Sequence, residues 1–133
     1  MSWTEFRARK AVLDAVLDQA RVVGPDHIDI DRVPDVERLF GGSDNVLLAL
    51  AHRWNTHLQA KLENAIDTGL DPAAAWTELA GEQPTLRALL DVGARRSEAL
   101  REAARGEART IHATTALLVP NILQIRVGAK SVA

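Results

Sequence analysis

Four histidines are the first residues to weigh for chemistry: His27, His52, His57 and His112. A metal pair on one helix needs i, i+3 or i, i+4 spacing, so that both ring nitrogens converge on one point. His52 and His57 lie five apart, which turns the second about 140° away from the first. The Glu-x-x-His pair of di-iron bundles is missing too, because the nearest acid before His112 is Glu107, five residues upstream. His57 flanks an apolar stripe and, with Trp54, Trp76 and His112, marks the one candidate pocket for a small molecule or a metal between helices. A half-buried histidine bonded to a neighbour is the commoner use of such a residue. Among the nucleophiles, Ser2, Ser43, Ser97 and Ser131 all lie outside a nucleophile-elbow pattern. Gly41-Gly42-Ser43 precedes a helix, where N–H groups can cradle a phosphate. No Walker lysine follows, however, and Asp44 repels an anion, so the segment reads as a turn. Cysteine is absent, which excludes disulfides and thiolate chemistry. No two carboxylates stand out as an acid/base couple. No catalytic, cofactor-binding or metal-ligating residue is therefore assigned.

Two residue sets have a binding and a structural reading. Arg101, Arg105 and Arg109 share one helical face and could follow phosphates. Glu98 and Glu102 sit one turn away, and no aromatic side chain is interleaved for base stacking, so an ion-paired solvated face is expected. Trp3, Trp54 and Trp76 fall on the apolar stripes of three different helices. With no tyrosine and two phenylalanines in the chain, they read as core bulk.

The elements that must position these residues are legible from periodicity. Trp3, Phe6, Leu13, Val16, Leu17 and Ala20 recur at three- and four-residue steps, predicting a helix over about 2–23. Ser2 and Glu5 form its capping box, and Gly24-Pro25 ends it. Ile28 and Ile30 alternate with Asp29 and Asp31 as extended chain does. A short helix from Pro34 to Phe40 follows, broken by Gly41-Gly42, with Ser43 as the next N-cap. Leu47, Ala51, Trp54, Leu58, Leu62 and Ala65 then predict a long helix over about 44–68. Asp71 and Pro72 open another to Ala80.

Residues 85–118 read as one further helix, about 51 Å long if unbroken, in a domain about 36 Å across. It divides at Gly93 or Gly106, or it protrudes to meet a partner. Its face carries small residues at Gly93, Ser97, Ala104 and Ala108, a seam on which a second helix could pack closely. Beyond Pro120, Leu123, Ile125 and Val127 alternate with polar residues as a strand does, fit to pair with 28–31 or with another protein's sheet, and the alternative is a flexible, frayed terminus.

The order helix, glycine, connector and then LFGGSDNVLLALAHRW resembles a stretch of TetR-type regulators, with Leu39, Phe40, Ser43, Asp44, Val46 and Leu47 in the corresponding places. That likeness is one of helix packing and carries no function with it. It departs at the DNA-reading part, because about sixteen residues between Gly24 and Phe40 are too few for a helix-turn-helix. Asp44 or Asn45 also stands where a lysine is expected, and membership is not claimed.

The chain has 133 residues, 47% of them apolar and 26% charged. That is ordinary for a soluble domain with its own core. Thirteen arginines against three lysines point to a GC-rich bacterial genome. A net charge of −2 disfavours a generally basic nucleic-acid binder, although residues 1–86 carry −6 and 87–133 carry +4. No apolar run approaches a membrane span, and MSWTEFRARK lacks a secretory core, so a cytoplasmic protein is expected. The expected fold is all-α, an irregular bundle of four or five helices over 1–119, with a non-helical tail at 120–133. The expected function is a non-enzymatic interaction module, homodimeric through the back helix (Gly93, Ser97, Ala104, Ala108) and the tail (Leu123, Ile125, Val127). The alternatives are a ligand- or metal-binding bundle and a nucleic-acid-associated regulator. No cofactor and no membrane partner are expected.

Overall fold

The computed structural model describes the backbone of residues 2–132 and the side chains of residues 2–116. It is all-helical, with no strand among the described residues. Helix α1 spans Trp3–Val23, α2 Val36–Phe40, α3 Ser43–Thr68, α4 Pro72–Glu82, α5 Pro84–Arg96 and α6 Glu98–Val132, with a 3-10 turn at Ile30–Arg32 between α1 and α2. The expected non-helical tail at 120–133 is corrected: the backbone continues as α6 through Pro120 to Val132, where no strand among the described residues is present to pair with extended chain. The side chains of Leu123, Ile125 and Val127, expected at a partner contact, lie outside the described residues.

Helix α3 is the axis of the bundle. Its stripe Leu47, Ala51, Trp54, Leu58, Leu62 and Ala65 is buried throughout, and Val46 and Leu50 widen it. A stripe that broad touches several neighbours at once, and α3 packs against α2, α4, α5 and α6, with α1 laid across α3 and α5. In α1 the cap is as the sequence predicts, with the Glu5 N–H donating to Ser2 Oγ at 3.1 Å. Only Val12, Leu13, Val16 and Ala20 are buried there. Trp3 and Phe6 extend past the end of the core, so the expectation that all three tryptophans fill the interior fails at Trp3.

The connector after α1 corrects two further expectations. The extended stretch expected around Ile28 and Ile30 is cut short: Asp29 is extended (φ −98°, ψ 93°), but at Ile30 the chain closes into the 3-10 turn, and among the described residues no strand is present to pair with it. Where a TetR-type regulator carries its helix-turn-helix, this chain has only that turn and the five residues of α2. Helix α2 stops at Gly41, whose φ of 79° is a left-handed conformation favouring glycine. Ser43 is not the cap of α3. It is the first helical residue, and its N–H is satisfied by Asp31 Oδ1 from the 3-10 turn, at 2.9 Å.

The division of the back segment falls at neither Gly93 nor Gly106. It falls at Ser97, which is extended (φ −130°, ψ 128°) and places its Oγ 3.4 Å from the Leu100 N–H as the cap of α6. Gly93 has another task. A Cβ there would lie 3.3 Å from both Leu100 Cγ and Leu47 Cδ1, so its bare backbone lets α3 and α6 close on α5. Gly106 stays inside α6, at the modest helical cost of any interior glycine.

Candidate functional site

Two regions compete for attention, one polar and closed, the other apolar and open. The closed one lies where α3, α4, α5 and α6 meet. Each helix contributes one side chain: Trp54, Trp76, Arg87 and Glu107. Both indole N–H groups donate to Glu107 Oε1, Trp54 at 3.1 Å and Trp76 at shorter range. Arg87 Nη1 donates to both oxygens of the same carboxylate, at 3.3 and 3.4 Å. The indoles meet edge to face with centroids 5.9 Å apart, and the guanidinium lies 4.6 Å above Trp54 and 5.4 Å from Trp76. Arg87 also pairs with Asp91 at 2.9 Å. Trp54 is 1% exposed, and the side chains of Arg87 and Glu107 are 12% and 11% exposed.

A carboxylate held by three donors beside a stacked guanidinium is a satisfied network. No buried side-chain polar atom among the described residues lacks a partner. The space left beside Trp54, Arg87 and Glu107 is about 10 Å³, room for at most one water. The predicted pocket is thus half assembled and filled from within. Trp54 and Trp76 do come together, but His57 and His112 are exposed on the outside of the bundle. The grip goes to Glu107, which the sequence marks only as an acid too far from His112 to share a metal.

The other predicted sets are also placed. Of the small-residue seam, Gly93 and Ser97 are buried within the chain, Ala104 is half-buried and Ala108 is exposed. Ser97 Oγ donates to Asp44 Oδ2 at 3.4 Å, tying the start of α6 to α3. The arginine row is an ion-pair ladder. Arg101 pairs with Glu98 at 2.8 Å, Arg105 with Glu98 and Glu102 at 3.0 and 2.6 Å, and Arg109 with Glu102 at 3.3 Å. Hydrogen bonds from Arg101 and Arg105 hold the Glu98 carboxyl below its usual range, and those from Arg105 and Arg109 do the same for Glu102. Among the described residues no group of histidines and acids is disposed to hold a metal ion. No helix among them is long and apolar enough to cross a membrane.

The open region is a groove of about 510 Å³ between α1 and α3, bordered also by Phe40 of α2. Phe6, Leu13, Phe40 and Ala49 form its apolar floor. Arg9 lies 4.2 Å above the Phe40 ring and donates to the Leu39 carbonyl at 2.7 Å. Lys10 and Arg53 both donate to Asp14, at 2.9 and 3.0 Å. Partial burial raises the Asp14 carboxyl, but these two cations outweigh it and hold it below the ordinary range. Beside the groove, Trp3 stacks on Phe6 with centroids 5.5 Å apart, and both are open to water at 66% and 49%.

A second hollow of about 280 Å³ lies between the 3-10 turn, α3 and α5, with Asp29, Asp31 and Asp44 around it. Those acids are engaged: Asp29 pairs with Arg32 at 3.2 Å, Asp31 caps α3, and Asp44 accepts from Ser97. The α1–α3 groove keeps the larger open surface. Compared with known proteins, the chain matches no family model, no curated protein and no solved structure. Its function must be read from these surfaces alone.

Sequence reasoning misses the groove because it counts Trp3 and Phe6 as core. The available signal is in the first ten residues, where two aromatics and three cations, Arg7, Arg9 and Lys10, surround a single acid, Glu5.

Proposed function

We propose that the protein is a non-enzymatic interaction module that receives its partner in the α1–α3 groove. The observation that carries the reading is the stacked, water-exposed pair Trp3 and Phe6 beside an open apolar floor. Aromatic side chains are few here, three tryptophans and two phenylalanines, and two of the five are exposed side by side. A contiguous exposed apolar patch marks a contact surface more often than scattered single residues do. Tryptophan is also among the residues that most often dominate binding energy. Covering the exposed half of Phe6 alone is worth about 1 kcal/mol. The polar groups best placed for chemistry, Arg87 and Glu107, are engaged in joining four helices, which favours an interaction role over a catalytic one.

The contact belongs at the groove in preference to the back-helix seam, because Gly93 and Ser97 are taken up inside the chain. The test is site-specific photocrosslinking in the native cell. A crosslinker at position 6 should give a discrete adduct, and one at the exposed Val22, at the far end of α1, should not. Adducts at neither position, or equal yields at both, overturn the reading.

A further inference from the structure

We infer that the partner seated in the α1–α3 groove is an acidic amphipathic helix of another protein, an inference that rests on reading the groove as the contact surface. The chemistry of the lining carries it. Every polar side chain on the groove wall is basic: Arg9, Lys10, His52 and Arg53. Arg7 adds a further cation 5.2 Å above the Trp3 ring, at the edge of the same patch. This positive surface sits in the acidic part of the chain, since residues 1–86 carry −6 overall. Asp14 answers two of the cations, Lys10 and Arg53. Arg9 has a backbone carbonyl and an aromatic ring as partners, and among the described residues no carboxylate pairs with it. An apolar floor under a surplus of positive charge is complementary to a ligand that is apolar on one side and anionic on its flanks.

Two nearer occupants fail on charge. A second copy docked groove to groove about a two-fold axis sets this basic wall against itself, which costs association free energy. The chain's own residues 117–133 carry Arg126 and Lys130 and no Asp or Glu, the wrong sign for the wall. The form of the ligand follows from the groove. It runs between two helices, and a third helix fits there with anchors at i, i+3 or i+4, and i+7.

The probe is a synthetic peptide of about eighteen residues, long enough to populate helix on its own. Leucines mark one face and glutamates flank them, and a twin peptide carries lysine at every glutamate. Trp54 is buried and Trp76 half-buried, so the water-exposed component of the indole emission belongs to Trp3. The glutamate peptide should bind and shift that emission to the blue, and the lysine peptide should not. Lys10→Glu should weaken binding about fivefold and Phe6→Ala about tenfold, with thermal unfolding of both variants as the check on folding. The inference is overturned if the lysine peptide binds as well, if neither peptide binds, or if dodecanoate gives the same shift at the same site. A position-6 adduct with a basic partner or with a second copy overturns the acidic helix and keeps the interaction module. The absence of any adduct overturns both.

Discussion

Removing the Glu107 carboxylate is the sharpest test of how this fold is held. Glu107→Ala leaves two indole N–H groups without their acceptor and strands the Arg87 guanidinium, 12% exposed, with only Asp91 at its outer edge. Breaking a buried ion pair by deleting one partner costs about 3–5 kcal/mol. Asp91 and the faces of two indoles retain part of the stabilisation of Arg87, so the lower end is expected, about 3 kcal/mol. With a urea dependence of about 1.5 kcal/mol per molar, the unfolding midpoint should fall by about 2 M. Glu107→Gln is milder. Its carbonyl can take the place of Oε1, which receives both indoles, while the charge facing Arg87 is lost. We expect about 2 kcal/mol there. Pairing Glu107→Leu with Arg87→Met should cost less than the two single changes together, because no uncompensated ion stays buried. The assay is urea unfolding followed by indole emission, which reports on Trp54 and Trp76 at the site itself. If Glu107→Ala costs no more than the 0–1 kcal/mol of an exposed ion pair, the four helices are not joined through this carboxylate and the reasoning fails.

Two smaller expectations accompany it. Gly93→Ala places a methyl 3.3 Å from Leu47 Cδ1 and from Leu100 Cγ, two buried side chains that must each give by a few tenths of an ångström. The overpacking should outweigh the helix-propensity gain and leave a net loss of about 1 kcal/mol, read from the same urea curve; a net gain would show that the three helices do not close on this glycine. Asp14 titrates below its ordinary value in the folded chain, so its stabilising share is present above that ordinary value and is lost as pH falls through the folded one. Asp14→Asn should therefore flatten the acid limb of the stability curve below about pH 4, and an unchanged limb in thermal unfolding between pH 2 and pH 5 would contradict the Lys10–Asp14–Arg53 cluster.

Much of the fold is legible in the residues because local chemistry and burial agree there. The α3 stripe from Leu47 to Ala65, the Ser2 cap, and the Asp71-Pro72 start of α4 are all found where periodicity and capping place them. The failures fall where local preference is overruled at a distance. Ser43 looks like a cap until Asp31, twelve residues earlier, takes the task. Ile28 and Ile30 alternate as a strand does, yet a strand needs a partner, and from Ile30 the chain closes into a 3-10 turn. The break at Ser97 is obscured for a different reason. Gly93 and Gly106 are the conventional helix breakers, whereas Ser97-Glu98 is an equally good start signal lying between them.

The two candidate regions were hidden in opposite ways. Glu107 and Arg87 look like ordinary surface charges, because burying an ion pair depends on four helices converging and leaves no periodic trace. Trp3 and Phe6 look like core, because periodicity gives the direction of a stripe and not where the neighbouring helix ends. The same indole therefore has two fates in one chain. Trp54 is enclosed, its N–H answered by a carboxylate, and holds the architecture together. Trp3 is 66% exposed, stacked on Phe6 and flanked by Arg7, with no helix of its own chain to cover it among the described residues. If that surface were incidental, replacing Phe6 by a polar residue should improve solubility and alter nothing else. If it is the contact surface, the same replacement removes the association and leaves the unfolding curve in place, since Phe6 is half exposed and outside the buried core.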